Sequence, residues 1–478
     1  MIQLICKETL YAYDTYHLLR AFYPGKVVEQ KIDRGQEPLI SVVTEGGSCF
    51  CCGQEQDHLS KREVILQFYH MLSEKTGRQL PWGILTGVRP TKLMMSRLKQ
   101  GDSSELMGRW MSENYLVSEE KAALAARIVQ REKQVSDQLE PGKGYSLYVG
   151  IPFCPSICAY CSFSSSPIEK WKDRTEDYLD ALCKEIRFVA ESAKQHNLQS
   201  ESGKEAVLDT IYIGGGTPTT LSAEQLERLL SHLESNFDCA GLKEFTVEAG
   251  RPDSITEEKL QVLRRHPVSR ISINPQTMQQ KTLDRIGRRH SVEDVRKAFF
   301  MAREAGFDNI NMDLIAGLPG EGLADMEDTL AQLERFAPDS LTVHALAVKR
   351  AAYYGQNPLE LTPADQMDKM ISCAQQSAER MGLLPYYLYR QKNMAGNYEN
   401  VGYAKVDKAG IYNILIMEEI QTIVACGAGA STKIVLPEPV LKDGKKTNLI
   451  RIENVKNVQE YIDRIDEMIE RKEKWLWH

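Results

Sequence analysis

The sequence predicts an α/β fold: an incomplete (β/α)6 TIM-type barrel with an α+β unit before it and an α/β extension after it. Between Tyr145 and about Leu346, six short β-branched runs alternate with amphipathic helical stretches, which is typical of parallel α/β structures. Residues 1–140 lack this alternation, and a chain of 478 residues suits about three domains or one large barrel with extensions. A doubly wound sheet would show the same alternation, and both folds place functional groups where strands end.

The helices between the predicted strands carry terminal signals. Ser222 with Gln225 matches a capping box, and Ser291 with Asp294 is a weaker version. Gly306 suits the end of a helix. The strands are predicted at 145–151, 208–213, 244–249, 270–275, 309–315 and 340–346, and three of the helices at 222–237, 291–306 and 323–336.

Three domains are predicted: an N-terminal accessory domain (1–140), the barrel (141–350) and a C-terminal substrate-side extension (351–478). The stretch QLEPGKG at 138–144 marks the first boundary because Gly and Pro interrupt regular structure. Outside the barrel we predict a strand at 37–45, a helix at 60–77, a loop at 80–94, a helix at 364–381, a Tyr-rich strand at 385–391 and an amphipathic helix within 455–475.

Composition narrows the class of protein. A net charge of −7 lacks the basic footprint of nucleic-acid binding, and no apolar window reaches the length of a membrane span. The first residues lack the basic segment of a secretory signal. Eleven cysteines, an odd number with irregular spacing, favour a reducing compartment. We therefore predict a cytoplasmic protein with no nucleic-acid partner and no membrane span.

The most informative motif is YVGIPFCPSICAYC, which contains Cys154, Cys158 and Cys161. Their spacing would fit one face of a helix, but Pro152, Pro155 and the preceding strand predict a loop. A structural zinc site normally needs a fourth ligand, and a disulfide would leave one cysteine over. Three thiolates in a short loop suit a [4Fe–4S] cluster with one open iron, with zinc or purely structural cysteines as alternatives.

The pattern CxxxCxxC, with Tyr160 before its last cysteine, resembles the radical S-adenosylmethionine (SAM) superfamily. The longer stretch YSLYVGIPFCPSICAYCSF resembles its oxygen-independent coproporphyrinogen III oxidase-like branch, and YYLYRQKNMAGN resembles the HemZ-type coproporphyrinogen dehydrogenase subgroup. The resemblance implies that SAM binds the open iron, that an electron from the cluster cleaves SAM, and that the 5′-deoxyadenosyl radical abstracts hydrogen. It implies an electron donor such as flavodoxin or ferredoxin, while the protein places the radical and excludes quenchers.

The stretch GGGTPT at 214–219 follows a predicted strand, and its glycines would let exposed amides approach a ligand. A tight strand–helix turn is the plainer alternative. The resemblance implies SAM-contacting positions here and at later strand ends, and these are Gly215, Gly216, Thr217 and Glu248. Contacts to a second SAM molecule are implied for Gln276, Arg288 and Asp313. Cofactor-lining positions are Tyr148, Tyr160, Ile315 and Ala347, for which core packing is an alternative at all but Tyr160.

The resemblance implies a tetrapyrrole substrate, coproporphyrinogen III, whose four propionates require cations, and arginine suits carboxylates. The candidates are Lys349, Arg350, Arg390 and Lys392, with a solvated charged face as the alternative. A second metal or electron transfer would suit Cys49, Cys51 and Cys52, which are otherwise incidental thiols. Two further candidates, His290 and His344, have the alternative of hydrogen-bonded structural histidines.

Two departures from the branch affect the prediction of function. Ser162 and Phe163 follow Cys161 where the oxidase has a fourth cysteine, and Gly150 stands where histidine is usual. The main hypothesis is conversion of two propionates to the vinyl groups of protoporphyrinogen IX. A haem chaperone is disfavoured because 399–404 and Ser431 lack the histidines of chaperone-like sequences. Radical chemistry on another tetrapyrrole, such as haem ring opening, is the third hypothesis.

Overall fold

The computed structural model describes most of the chain, in eleven segments. Lys349, Arg350 and Lys392 lie outside them, so the substrate contacts predicted there stay predictions. The described residues are 1–47, 49–54, 58–87, 89–139, 143–163, 165–199, 205–347, 352–357, 362–390, 398–442 and 444–477.

The strands and helices alternate most regularly in the middle of the chain. The strands are β1 (Ile2–Cys6), β2 (Val28–Ile32), β3 (Ile40–Thr44), β4 (Cys49–Cys52), β5 (Gly144–Ile151), β6 (Phe153–Cys154), β7 (Ser166–Pro167), β8 (Val207–Gly215), β9 (Glu244–Gly250), β10 (Arg270–Ile273), β11 (Ile310–Ala316), β12 (Ser340–Ala345), β13 (Leu384–Tyr389), β14 (Asn400–Ala404), β15 (Thr422–Cys426), β16 (Ser431–Lys442) and β17 (Lys445–Glu453). The helices are α1 (Thr9–Phe22), α2 (Lys61–Thr76), α3 (Thr91–Lys99), α4 (Ser104–Tyr115), α5 (Glu119–Ser136), α6 (Thr175–Gln199), α7 (Ala223–Asn236), α8 (Glu257–Arg265), α9 (Gln280–Arg285), α10 (Val292–Glu304), α11 (Leu323–Phe336), α12 (Tyr353–Gln356), α13 (Ala364–Arg380), α14 (Ile411–Glu418), α15 (Val458–Asp463) and α16 (Ile465–Glu473).

The six predicted barrel strands pair in parallel and in chain order, from β5 through β8, β9, β10 and β11 to β12. A doubly wound sheet reverses its strand order part-way, and no reversal occurs here. Right-handed crossovers in one direction place the connecting helices on one face of the sheet. The prediction of an incomplete (β/α)6 barrel is confirmed.

Segments from the C-terminal part extend both edges of the barrel sheet. β15 pairs in parallel with β5 and is followed by the antiparallel strands β16 and β17. At the other edge β14 and β13 add in antiparallel fashion to β12. Gly150, where the related branch has histidine, lies against the added strand β15. A Cβ atom on Gly150 would lie 3.2 Å from the Cys426 carbonyl oxygen, so a large side chain would disturb the close approach of β15.

The helix signals in the sequence act as predicted. The Ser222 and Ser291 side chains cap α7 and α10, and both capping boxes are complete. Gly306 follows α10 with φ of +92°, a conformation that glycine adopts without steric penalty. Along α7 the leucines at 226, 229, 230 and 233 are buried, the i, i+3, i+4, i+7 stripe of a helix packed on a sheet.

The first 140 residues contribute to two apolar cores. Strands β1 to β4 form a sheet in the order β2-β1-β3-β4, which packs with α1 and α2 around Leu4, Phe22 and Phe68. Trp82 and helices α3 to α5 instead join the core of the barrel. The division between the two apolar cores therefore falls near Trp82, while the domain boundary predicted at 138–144 stays a prediction. In addition α3 begins at Thr91, inside the stretch predicted as a loop.

The C-terminal residues are tied to the barrel by a buried carboxylate. Glu185 on α6 pairs with Lys472 at 2.6 Å, and both side chains are fully buried. Glu185 also accepts hydrogen bonds from the Gly427 amide, Asn454 and Tyr461. The single amphipathic helix predicted within 455–475 is two helices, α15 and α16, that meet at Arg464. None of the helices in the described residues combines the length and apolar character that a membrane crossing demands.

Candidate active site

Side chains from successive strands converge inside the barrel. Tyr148, Tyr212, Glu248, Asp313 and His344 lie one per strand on β5, β8, β9, β11 and β12, and each is half-buried between buried neighbours. Tyr148 is opposite Tyr212 in register. Because strand side chains alternate between faces, these residues share the inner face, and their partial exposure marks a solvent-accessible interior.

A tyrosine from a distant helix closes the bottom of this interior. Tyr412, in the first turn of α14, stacks on Tyr212 at 4.4 Å and on Tyr148 at 6.4 Å between ring centroids. Glu244, at the N-terminal end of β9, accepts hydrogen bonds from the backbone amides of Ile411 and Tyr412. These bonds anchor α14 beneath the strands, so access to the interior is from their C-terminal ends.

Glu248 is the acidic group of the interior. Burial, together with the negative charge of Asp313, raises its pKa to about 7. The Tyr212 hydroxyl and the Gly215 amide donate hydrogen bonds to the carboxylate, and these with Arg270 oppose the rise in pKa. A carboxylate with this pKa can hold a cationic ligand near neutral pH or exchange a proton with one.

The three cysteines follow the C-terminal end of β5. Cys154 ends the two-residue strand β6. Residues 155–163 form no helix or strand, so the prediction of a loop is confirmed for Cys158 and Cys161. The pairing of β6 with β7 closes the base of the loop. The Ala159 amide donates to the Ile286 carbonyl at 3.0 Å, and the Ser156 hydroxyl donates to the Gly287 carbonyl at 3.0 Å. The loop is therefore held over the barrel mouth from the β10–α10 side.

The cysteine sulfurs face hydrogen-bond donors, including the Phe163 amide at Cys161. The Thr217 hydroxyl lies 3.6 Å from the Cys154 sulfur, and Arg251 Nη1 lies 3.6 Å from the Cys158 sulfur. Burial raises the pKa of the Cys154 and Cys161 thiols. Ligation of a metal by these cysteines must therefore displace protons, and the thiolates formed then receive the donors already in place.

The glycine-rich segment has a role different from the one predicted for its amides. The Gly216 amide donates to the Ile151 carbonyl and the Thr217 amide to the Phe153 carbonyl, both at 2.7 Å, while the Gly215 amide bonds Glu248. These donors are used inside the protein, so the expectation of free amides for a ligand is wrong. A Cβ atom on Gly216 would lie 2.5 Å from the Phe153 carbonyl oxygen. Glycine is required here because β8 packs directly against the cysteine loop.

An apolar wall stands beside the cysteine loop. Tyr160 packs against a small buried cluster that includes Ile315 and Leu346, and Arg288 donates to the Tyr160 hydroxyl at 3.3 Å. Burial alone would lower the pKa of Arg288, but the neighbouring Tyr160 and Cys158 raise it. Ala347 packs instead against the main core. The structure thus brings Tyr160, Ile315 and Arg288 together.

Several buried polar atoms near this wall have no hydrogen-bond partner among the described residues. They include Gln276 Oε1, Asn274 Oδ1 and Arg288 Nε. Gln276 has φ of +68°, an uncommon conformation for a non-glycine residue that often marks a functional position. Native proteins rarely leave buried polar groups unpaired, so these atoms suit a polar ligand.

Asp313 is held by its neighbours. Asn311 donates to its carboxylate at 2.7 Å, and His344 Nε2 lies 3.8 Å away. Burial would raise the pKa of Asp313, but His344 and Asn311 hold it below its ordinary value. His344 therefore belongs to the site. His290 is buried with both ring nitrogens unbonded to described residues, and Nδ1 is 3.7 Å from Asp253.

The remaining candidates lie elsewhere. Arg390 is buried and donates to the Leu85 carbonyl at 2.7 Å, and burial lowers its pKa to about 10. It thus joins the N-terminal residues to β13 and does not lie on a solvated face. Cys49 and Cys51 are exposed on the edge strand β4, while burial raises the pKa of Cys52 to about 12.

The donor set fits an iron–sulfur cluster better than a single metal ion. In the part of the chain that the structure describes, no three His, Cys, Asp or Glu side chains converge closely enough to hold one ion. A [4Fe–4S] cluster does not require three side chains to converge on one ion, because each cysteine binds a different iron. Three thiols in one loop, beside unpaired polar atoms, are consistent with a cluster held by Cys154, Cys158 and Cys161 with a ligand alongside.

Two comparisons with known proteins show what this chain is similar to. A model of the radical SAM superfamily matches residues 148–333. The oxygen-independent coproporphyrinogen-III oxidase-like protein HemZ of Bacillus subtilis is 40% identical over 420 residues, which cover 87% of this chain and 81% of HemZ. The chain belongs to the HemZ family of radical SAM proteins. The resemblance found in the sequence is confirmed, and the superfamily implies a [4Fe–4S] cluster and SAM.

The chain is also similar to a haem chaperone and to the solved structure of a coproporphyrinogen III oxidase. The haem chaperone HemW of Bacillus subtilis is 35% identical over 246 residues, 50% of this chain and 62% of HemW. The structure of Escherichia coli HemN, a coproporphyrinogen III oxidase and radical SAM enzyme, has a TM-score of 0.53 at 23% identity and covers 70% of this chain and 72% of HemN. The structural similarity confirms the fold, and HemZ-family membership leaves oxidase-like and chaperone-like functions to be distinguished.

Three site residues escaped the sequence analysis. Tyr212 occupies the alternate position of β8 that a period-2 pattern assigns to the inner face, so its strand register could have revealed it. Tyr412 comes from a helix more than 150 residues after β9, and no local signal marks it. Arg251 follows an irregularity in the pairing of β9 with β10, which is visible only in three dimensions.

Proposed function

We propose that this protein is an oxygen-independent coproporphyrinogen III oxidase. It would convert two propionate side chains of coproporphyrinogen III to the vinyl groups of protoporphyrinogen IX in porphyrin biosynthesis. The observation that carries the proposal is the position of the cysteine loop directly over an accessible barrel interior lined by Tyr148, Tyr212 and Glu248. Bound cluster and SAM would supply one 5′-deoxyadenosyl radical for each propionate. Each radical would take one hydrogen atom from one propionate side chain, which would then lose carbon dioxide and pass one electron to an external one-electron acceptor.

The protein's own residues would bind and shield the reactants. Glu248 would accept hydrogen bonds from the ammonium or ribose groups of SAM, and the unpaired Gln276 oxygen would accept one from a second SAM molecule. Tyr160 and Ile315 would pack against its nucleoside. Tyr412 closes the bottom of the barrel and excludes water from below. Contacts of Arg288 and Asp313 with a second SAM molecule, and of Ala347 with the nucleoside, remain part of the proposal.

The test is anaerobic reconstitution with iron and sulfide, followed by reductant, SAM and coproporphyrinogen III. Mass spectrometry should show loss of two carboxyl groups from the tetrapyrrole, and replacement of any one of Cys154, Cys158 or Cys161 by Ala should abolish this change. Cleavage of SAM without change in the tetrapyrrole would reject the assignment. An iron count near four per chain would mean that Cys49, Cys51 and Cys52 bind no auxiliary cluster.

A haem chaperone is the second candidate because HemW aligns with half of this chain. The stretch that replaces the chaperone's histidine motif is engaged in the fold here. Glu399 accepts a hydrogen bond from Trp82 at 2.7 Å and pairs with Lys121 at 2.7 Å, and Ser431 donates to Glu453. We therefore expect no stable haem complex in an absorbance titration, and stoichiometric binding would favour the chaperone.

A further inference from the structure

A bulge next to the site redirects one arginine. On β9 the pairing with β10 slips by one residue, so that Glu248 is opposite Ser272 but Gly250 is opposite Ile273. Gly250 has φ of +51°, and the following amide, of Arg251, bonds the Ala249 carbonyl at 2.6 Å. Bulges beside active sites commonly re-aim a side chain. Here the bulge brings Arg251 to the cysteine loop.

The Arg251 guanidinium is fixed from two sides. Only 3% of the residue is exposed. On the loop side Nη1 lies 3.6 Å from the Cys158 sulfur and 3.2 Å from both the carbonyl and hydroxyl oxygens of Ser156. On the other side Asp253 accepts from Nε at 2.9 Å and from Nη2 at 2.7 Å. Nη1 thus shares its two N–H groups among the Ser156 oxygens and the Cys158 sulfur.

The local charges follow from these contacts. Burial works against ionisation of Asp253, but His290 and Arg251 hold its pKa below the ordinary range, so the group is a carboxylate. Arginine stays protonated at any pH the fold tolerates. A permanent cation thus faces Cys158, and an anion behind it reduces the positive potential. Both act at low dielectric, where charges interact strongly.

We propose that Arg251 is a positioning residue that raises the reduction potential of a cluster bound by Cys154, Cys158 and Cys161. The inference rests on the proposed function, which requires that cluster to accept an electron. Reduction adds negative charge to the cluster, and hydrogen bonds to its sulfurs and nearby cations favour the reduced state. A residue that merely anchored the loop would change how much iron is retained, but it would leave the potential of retained cluster unaltered.

The experiment compares Arg251→Gln with Arg265→Gln. Arg265 is on α8, is 60% exposed and pairs with Glu227, so its replacement makes the same change in net charge away from the loop. Iron and sulfide are measured after anaerobic reconstitution, and the potential is measured by redox titration with EPR detection, without tetrapyrrole. We expect a more negative potential in Arg251→Gln, a wild-type value in Arg265→Gln, and partial recovery in Arg251→Lys.

The Asp253→Asn variant should shift the reduction potential in the opposite direction. Loss of this anion should make the potential more positive than that of the wild type, and this variant decides the matter if Arg251→Gln fails to hold iron. An unchanged potential in loaded Arg251→Gln, or an unchanged or more negative one in Asp253→Asn, overturns the inference alone. A wild-type chain that binds no cluster overturns the proposed function as well, so the two failures are distinguishable.

Discussion

At the scale of single residues, the interior of the barrel is defined by how Glu248 is surrounded. Tyr148 and Tyr212 lie beside it on β5 and β8, Tyr412 approaches from α14, and Asp313 and Arg270 contribute opposite charges from β11 and β10. The direct hydrogen bond is donated by Tyr212. That hydroxyl favours the ionised carboxylate, because a hydrogen bond to the charged form lowers the pKa of an acid.

We predict that Tyr212→Phe shifts the pH dependence of SAM binding. Loss of the hydrogen bond, worth about 1.5–3 kcal/mol when the acceptor is charged, should move the pKa of Glu248 above about 7 by about one to two units. Binding of the cationic ligand should then strengthen at higher pH in the variant than in the wild type. Equilibrium dialysis at several pH values measures this shift, and the amine of SAM titrates equally in both proteins. Tyr354→Phe, whose hydroxyl bonds Arg285, is the control, and coincident profiles would contradict the prediction.

At the scale of elements, the cysteine loop and the end of β8 form one unit. The loop and its base carry the thiols, while Gly216 and Thr217, which directly follow β8, supply two amide donors that fix the backbone at Ile151 and Phe153. The close approach leaves no room for a side chain at Gly216. A change in β8 should therefore disturb the cysteines without touching them.

We predict that Gly216→Ala lowers the iron content after reconstitution. The added methyl group would lie within 2.5 Å of the Phe153 carbonyl oxygen, so the loop must move and the three thiolates lose their relative positions. Iron per chain and the absorbance of the cluster measure the effect, with an expected loss of more than half. Gly241→Ala is the matched control because no atom lies within 4 Å of its added Cβ. Full iron loading of Gly216→Ala would show that the loop tolerates the displacement.

At the scale of the whole molecule, the N-terminal helices are part of the barrel's support. Helix α5 lies against β13, and Arg131 on α5 donates to the carbonyls of Leu384, Ala404, Lys405 and Val406. Lys121 on the same helix pairs with the buried Glu399. Removal of α5 would deprive these four carbonyls and Glu399 of their contacts with Arg131 and Lys121, so residues 119–136 support the barrel sheet.

We predict that Arg131→Met lowers the free energy of unfolding substantially. A buried carbonyl left without a donor destabilises the fold by about 1–3 kcal/mol. The contact with the Ala404 carbonyl is buried, and the three other contacts are partly buried. Arg127→Met on the same helix removes an exposed pair with Glu379, which is worth about 0–1 kcal/mol. Urea unfolding followed by circular dichroism compares the two variants. Equal midpoints would mean that water replaces the Arg131 contacts.

The sequence by itself determined the barrel and the identity of its cysteine loop. The six strands were predictable because β-branched runs and helix caps act within a few residues, as at Ser222 and Ser291. Only the tertiary structure decided which groups meet inside. Tyr412 arrives from a distant helix, a bulge redirects Arg251, and the Gly216 and Thr217 amides bond the backbone that leads into the cysteine loop. These placements depend on contacts between residues far apart in the chain, which local periodicity does not encode.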